Sequence, residues 1–216
     1  GATVVLVARQ PGPLEEVAAA VTVAGGLALP VTADVSRPGE IERAVAAAVE
    51  RFGRLDILVN NAGRSAAAAF DRVDDDAWGA DLDLKLYGAV RGVRAALPHL
   101  RAAGGRIVNI VNIGAKTPGA NSLPTSVSRA AGLALTKALS RDLAADRITV
   151  NAVCIGLIRS GQHRRRWQAQ ESPGTLEEFY EGMARSANVP LGRVGEASEV
   201  ADLIAFLVSA RAAYIT

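Results

Sequence analysis

The stretch Leu55-Asp56-Ile57-Leu58-Val59-Asn60-Asn61-Ala62-Gly63 decides the reading of the fold. Four apolar residues among the five from Leu55 to Val59 are too few for a helix, and they run straight into a polar turn. That pattern predicts a strand buried on both faces. In open α/β sheets, ligands bind beyond the carboxyl ends of the strands, where strand order reverses. Asn60 and Asn61 each carry an amide donor and an acceptor, while Ala62 and Gly63 leave room for a flat ligand close to the backbone. The same residues equally suit a tight turn with no ligand.

Outward from this stretch, strands and helices alternate. Apolar runs predict further strands over 3–7, 27–32, 107–113 and 148–153. Between them lie helical stripes: Leu14, Val17, Ala18 and Val21; then Ile41, Val45, Ala48 and Phe52; then one long helix over 75–100 and another over 122–145. Ser36 is placed to cap the second helix, and Gly53 to close it. Glu196 to Ser209 forms a last amphipathic helix, after a connection from Leu157 to Val189 that is long for such a fold. The alternation implies an α/β, three-layer, doubly wound parallel sheet in a single Rossmann-like domain.

Composition narrows the function. Half of the 216 residues are hydrophobic, enough for one full core. A net charge of +2, dispersed cations and few aromatic residues argue against a nucleic-acid binder. A lone Cys154 forms no internal disulfide and suits a reducing cytoplasm. No apolar run is long enough to span a bilayer, so no membrane partner is expected.

The Asn-Asn-Ala-Gly turn resembles the signature of the short-chain dehydrogenase/reductase family. Other segments match that family in the same order: Gly1 to Arg9 is similar to its second strand, Ala33-Asp34-Val35 to the turn after its third, and Leu191-Gly-Arg-Val-Gly-Glu196 to its penultimate loop. Counted against the family, strands two to six are present. The first strand, with its Gly-rich turn, and the last are not, so the chain is expected to be a piece of a longer one, incomplete at both ends. In the strand order 3-2-1-4-5-6 the first strand would separate strands 3–7 and 55–59. Without it, a gap of about 10 Å lined by unpaired backbone groups is expected.

The resemblance implies a nicotinamide dinucleotide. An acidic residue ending the second strand bonds the ribose of NAD, whereas an Arg accommodates the 2′-phosphate of NADP; Arg9 stands there, which favours NADP over NAD. By the same resemblance Asp34 and Val35 contact the adenine, Asn61, Ala62 and Gly63 the adenosine ribose side, and Gly156, Ile158 and Ser160 the nicotinamide. Residues 157–192 form the substrate loop, and a homodimer or homotetramer assembles through the two long helices, where Ala89, Ala95 and Ala130 would permit close approach or equally contact the sheet.

The family's proton-transfer groups are replaced. Its tyrosine and lysine align with Thr125 and Arg129, its serine with Asn112 and its asparagine with Lys85. An aliphatic hydroxyl is a far weaker acid than a phenol, and Arg129 keeps a charge it cannot release. Asn112 can polarise a carbonyl, and Lys85 near a second cation acquires a lowered pKa and acid–base competence. His163 and Tyr180, in the long connection, are further proton donors by type, and Trp167 and Phe179 either wall a substrate or pack the connection. Two functions follow: an NADP-dependent oxidoreductase acting on a carbonyl or alcohol through Lys85, Asn112, Thr125 and Arg129, or a cofactor-binding protein of this fold without redox turnover, serving as a sensor or partner subunit.

Overall fold

The computed structural model describes residues 2–171 and 174–216; Gly1, Ser172 and Pro173, which fall within the segments named above, lie outside the described residues. Five strands form: β1 (Val4–Ala8), β2 (Ala28–Thr32), β3 (Ile57–Asn60), β4 (Arg106–Asn112) and β5 (Thr149–Ile155). Every pairing among them is parallel. β1 bonds to β2, and β4 lies between β3 and β5.

β1 and β3 do not bond to each other. The space between them is a cleft of about 1040 Å³, walled on one side by Ala2 to Arg9 and on the other by Arg54 to Arg64.

The helices are α1 (Pro11–Val23), α2 (Glu40–Phe52), α3 (Asp75–Leu82), α4 (Gly88–Ala103), α5 (Thr125–Asp142), α6 (Gly161–Gln168), α7 (Leu176–Ser186) and α8 (Ala197–Leu207). Side chains of β4 alternate between two helical layers, as the period of two requires. Ile107 packs with Val93, Ala96 and Leu100 of α4 and with Leu143, Ile148 and Val150. Val108 and Ile110 point the other way, onto Val153 and Leu207 of α8. The layers α4/α5, sheet and α8 confirm the doubly wound reading.

Three expectations need correction. The helix expected over 75–100 is two α-helices joined by a turn of π-helix from Asp83 to Tyr87, and Lys85 sits in that turn. Ser36 does not cap α2. Its N–H and Oγ both bond to Asp34 Oδ1, at 3.0 and 2.6 Å, and Gly39, at φ +84°, stands at the helix start instead. Ala89 is buried, so it is not free to meet a partner; Ala95 is half-buried and Ala130 exposed.

The connection after β5 is ordered by its own small core. Tyr180, Ala184 and Val194 pack with Leu157, Leu176, Phe179, Met183 and Val189. Thr175 and Glu178 close a capping box at the start of α7. Trp167 Nε1 donates to the Gly174 carbonyl at 2.9 Å. Phe179 and Trp167 therefore pack this segment.

Leu100 is fully buried and belongs to the α4 face of the core. Leu100→Ala is expected to cost about 2–5 kcal/mol of unfolding free energy, measured by urea denaturation, because the surrounding sheet and helices relax only partly into the cavity.

Candidate functional site

Four buried polar side chains, from α3, the π turn and α5, meet in one network. Lys85, in the π turn, is one turn beyond Asp81 of α3, and its Nζ pairs with Asp81 Oδ1. Neither side chain has more than 1% of its surface exposed. Asp81 Oδ2 accepts from Ser128 Oγ at 2.6 Å, and Lys85 Nζ donates to Thr125 Oγ1 at 3.0 Å. Thr125 Oγ1 accepts a second bond, 2.9 Å, from the Ala66 N–H in the loop after Gly63. The sequence reading named Lys85 and Thr125 but missed Asp81 and Ser128. The signal was present as the spacing of four between Asp81 and Lys85 and of three between Thr125 and Ser128, which put each pair on one helix face.

The valence of Thr125 Oγ1 follows from these bonds. A threonine hydroxyl has two acceptor lone pairs and one O–H. Lys85 and the Ala66 N–H fill the lone pairs, and the O–H has no acceptor among the described residues.

Arg129, one turn along α5, donates from Nη1 to the Ile110 carbonyl at 2.7 Å. Its Nη2 occupies the place a Cβ on Gly63 would take, so a side chain there would displace the Arg129 guanidinium. Burial lowers the pKa of Arg129, which Asp81 opposes. Burial is also the largest influence on Lys85 and lowers its pKa; Asp81 pulls it back up, while Arg129 and Arg64 push it further down.

The cleft between β1 and β3 reaches this network. Arg9, Val35, Asn61, Ala62, Gly63, Lys85, Ser128 and Arg129 all line it, and Lys85 and Arg129 form its wall without filling it. Other expected site residues are elsewhere. Asp34 is held in its turn by Ser36, and its N–H by Glu40 Oε2 at 2.6 Å. Ile158 bridges to Gly195, and Ser160 caps α6. Thr125 and Asn112 lie outside the cleft wall; Asn112 Oδ1 is buried at the end of β4 with no hydrogen-bond partner among the described residues. Tyr180 is buried beneath the Arg159 guanidinium, 4.6 Å from its ring centre, and His163 meets its edge. Burial lowers the pKa of His163, helped by Arg166. Neither joins the Lys85 network.

Asn60 has a structural task. Its Nδ2 donates to Asn109 Oδ1 at 2.8 Å, and Asn109 Nδ2 donates to Thr136 Oγ1 at 2.9 Å, tying β3 through β4 to α5. The turn is thereby fixed relative to the helix that carries Thr125 and Arg129.

A family model described as enoyl-(acyl carrier protein) reductase matches residues 1–216. A provisionally named ketoacyl reductase of Streptomyces coelicolor is 38% identical over 191 residues, 86% of this chain and 72% of that protein. A short-chain oxidoreductase from Pseudomonas aeruginosa PAO1 with NADPH bound, described as containing an atypical catalytic center, superposes with a TM-score of 0.92 at 32% identity. That match covers all of this chain and 83% of the other. An L-sorbose reductase from Gluconobacter frateurii, complexed with NADPH and L-sorbose, gives 0.93 at 31% identity over 99% of this chain and 82% of that one. The chain belongs to the short-chain dehydrogenase/reductase family.

The four positions that the resemblance sets against the family's proton-transfer groups hold Thr125, Arg129, Asn112 and Lys85. Two of these, Lys85 and Thr125, are bonded directly to each other.

The cost of disturbing the pair is predictable. Lys85→Met leaves the Asp81 carboxylate buried without its countercharge and is expected to destabilise the fold by about 3–5 kcal/mol. Adding Asp81→Asn is expected to recover part of that loss. Unfolding midpoints of the two single variants and the double variant, taken as a cycle, measure the coupling.

Proposed function

We propose that this family member is an NADP(H)-dependent oxidoreductase acting on a carbonyl or alcohol, with proton transfer relayed from Lys85 through Thr125. The observation that carries the reading is the uncommitted O–H of Thr125, backed by a lysine whose pKa burial has lowered. Thr125 need not be a strong acid. As its O–H passes to the oxygen of a carbonyl being reduced, a proton from Lys85 Nζ replaces it on Oγ1. The Ala66 N–H holds Oγ1 in place throughout. Asp81 and Ser128 are positioning residues that fix the lysine. Asn112 has an amide available to orient the same oxygen.

A nicotinamide dinucleotide supplies or accepts the hydride when bound. The residues present fit it: Asn61, Ala62 and Gly63 form an exposed turn packed at Gly63 by the Arg129 guanidinium, and the cations Arg9 and Arg129 face the same cleft. Arg9 ends β1, close enough to Asp34 for its charge to help lower that carboxyl's pKa, and favours NADP. Val35 lines the cleft near Arg9 and suits the adenine. Gly156, Ile158 and Ser160, with Asp34, complete the set proposed from the resemblance. No helix among the described residues is long and apolar enough to cross a membrane. A homo-oligomer through α4 and α5 and a cytoplasmic setting, which suits the free Cys154, are part of the same proposal.

One observation favours the second reading, a binding protein without turnover. The Asp81–Lys85–Ser128 contacts are mutually satisfied and dry, as a purely structural ion pair would be. NADPH fluorescence titration with NADPH oxidation against a panel of ketones, aldehydes and quinones separates the two. Binding without oxidation of any of them supports the sensor or partner subunit.

For an active enzyme, Thr125→Val is expected to lower kcat about 10²–10⁴-fold and Thr125→Ser to retain most of it, because only the hydroxyl is needed. Reduction uses protonated Lys85 and so falls as pH rises through the lysine's pKa. Asp81 raises that pKa, so Asp81→Asn is expected to move the alkaline limb of the kcat/KM profile to lower pH. Arg129 lowers it, so Arg129→Gln is expected to move the limb to higher pH.

A further inference from the structure

The charges around the candidate site do not balance. At the carboxyl end of the cleft the wall carries Arg9, Arg64, Lys85 and Arg129, and the carboxylates nearest them, Asp34 by Arg9 and Asp81 by Lys85 and Arg129, lie outside that wall. The one acidic residue in that wall, Asp56, lies at the opposite end, where both its oxygens bond to Arg54 at 2.9 and 2.6 Å. Asp81, behind the wall, is already divided between Lys85 and Ser128. Arg129 has only the Ile110 carbonyl as a hydrogen-bond partner, and the Arg64 side chain makes no hydrogen bond or ion pair among the described residues.

Arg64 is also held where it can act. It follows Gly63, on which Arg129 packs, and precedes Ser65 and Ala66, whose N–H groups bond to Gln162 Oε1 of α6 and to Thr125 Oγ1, both at 2.9 Å. The loop that carries Arg64 is therefore pinned on one side to the proposed proton donor and on the other to α6. Lys85 is buried and Arg129 half-buried, whereas the Arg64 guanidinium is exposed and open to an incoming anion, and a guanidinium binds a carboxylate through two parallel bonds.

We infer that Arg64 is a specificity residue that binds an anionic oxygen group, and that the group is a carboxylate borne by the substrate. The preferred substrates are then keto acids or hydroxy acids in place of neutral ketones. This rests on the oxidoreductase reading for the word substrate, but the anion site itself does not require turnover. Arg9, at the tip of β1 across the cleft, is left to the cofactor's 2′-phosphate.

The test uses the full-length protein with NADPH and two matched pairs of probes: levulinate and benzoylformate, each beside its methyl ester. Binding is read as the thermal shift and its concentration dependence, turnover as NADPH oxidation. The wild type is expected to bind the acids about ten- to a hundredfold more tightly than the esters, as a charge-assisted contact requires. Arg64→Ala is expected to bring the acid-to-ester ratio toward one, and Arg64→Lys to restore it in part. No preference for acid over ester in the wild type, whether both bind or neither does, overturns the inference. So does an Arg64→Ala variant that loses NADPH affinity while keeping the acid preference, since the anion would then be the cofactor's phosphate. Arg64-dependent binding of the acids with no oxidation leaves the anion site standing and removes the oxidoreductase reading.

Discussion

The buried contact between Lys85 and Asp81 is the constraint on which the site depends. An ammonium and a carboxylate removed from water are tolerated only when they face each other and their remaining bonding capacity is used. Ser128 takes the second carboxylate oxygen, and Thr125 takes the ammonium. The π turn and α5 are therefore locked together at the place where the loop after β3 crosses them. The geometry of the Thr125 hydroxyl is a product of that lock.

The sheet serves the site by fixing the heights of its parts. β3 and β4 run parallel with Asn60 opposite Asn109, and Asn109 reaches Thr136 of α5. This polar rung, buried between apolar layers, sets the Asn61–Gly63 turn at a defined distance from Arg129. The two edges that face the cleft, β1 and β3, put Arg9 and the turn on opposite walls. A ligand long enough to touch both would cross the carboxyl ends of the strands, as parallel sheets of this kind allow.

The fold was legible in the sequence because it is written in short apolar runs separated by glycine and proline, and those runs have one plausible topology. All five strands lie within two residues of their expected places. The site was legible in part. Lys85, Thr125 and Arg129 could be found by position, and the cleft residues Arg9, Asn61, Ala62 and Gly63 by motif. Asp81 was passed over although its spacing of four from Lys85 puts both on one helix face, because an aspartate in a helix reads as solvated until a partner is seen to bury it. The exchange of a cap between Ser36 and Gly39 turned on whether Asp34 or the helix held the serine. The break in the long helix was hidden because one extra residue in a turn leaves composition unchanged.

That extra residue has a structural consequence. A π turn advances the chain without completing the usual rotation, so α3 and α4 are out of phase by about the angle of one residue, roughly 100° in a regular helix. Deleting one position from 83 to 87 would remove that offset and turn α4 about its axis relative to α3, carrying Val93, Ala96 and Leu100 away from the sheet they cover. Insertions and deletions across related chains at this point therefore mark whether α3 and α4 keep the relative phase that buries the face of α4 against the sheet.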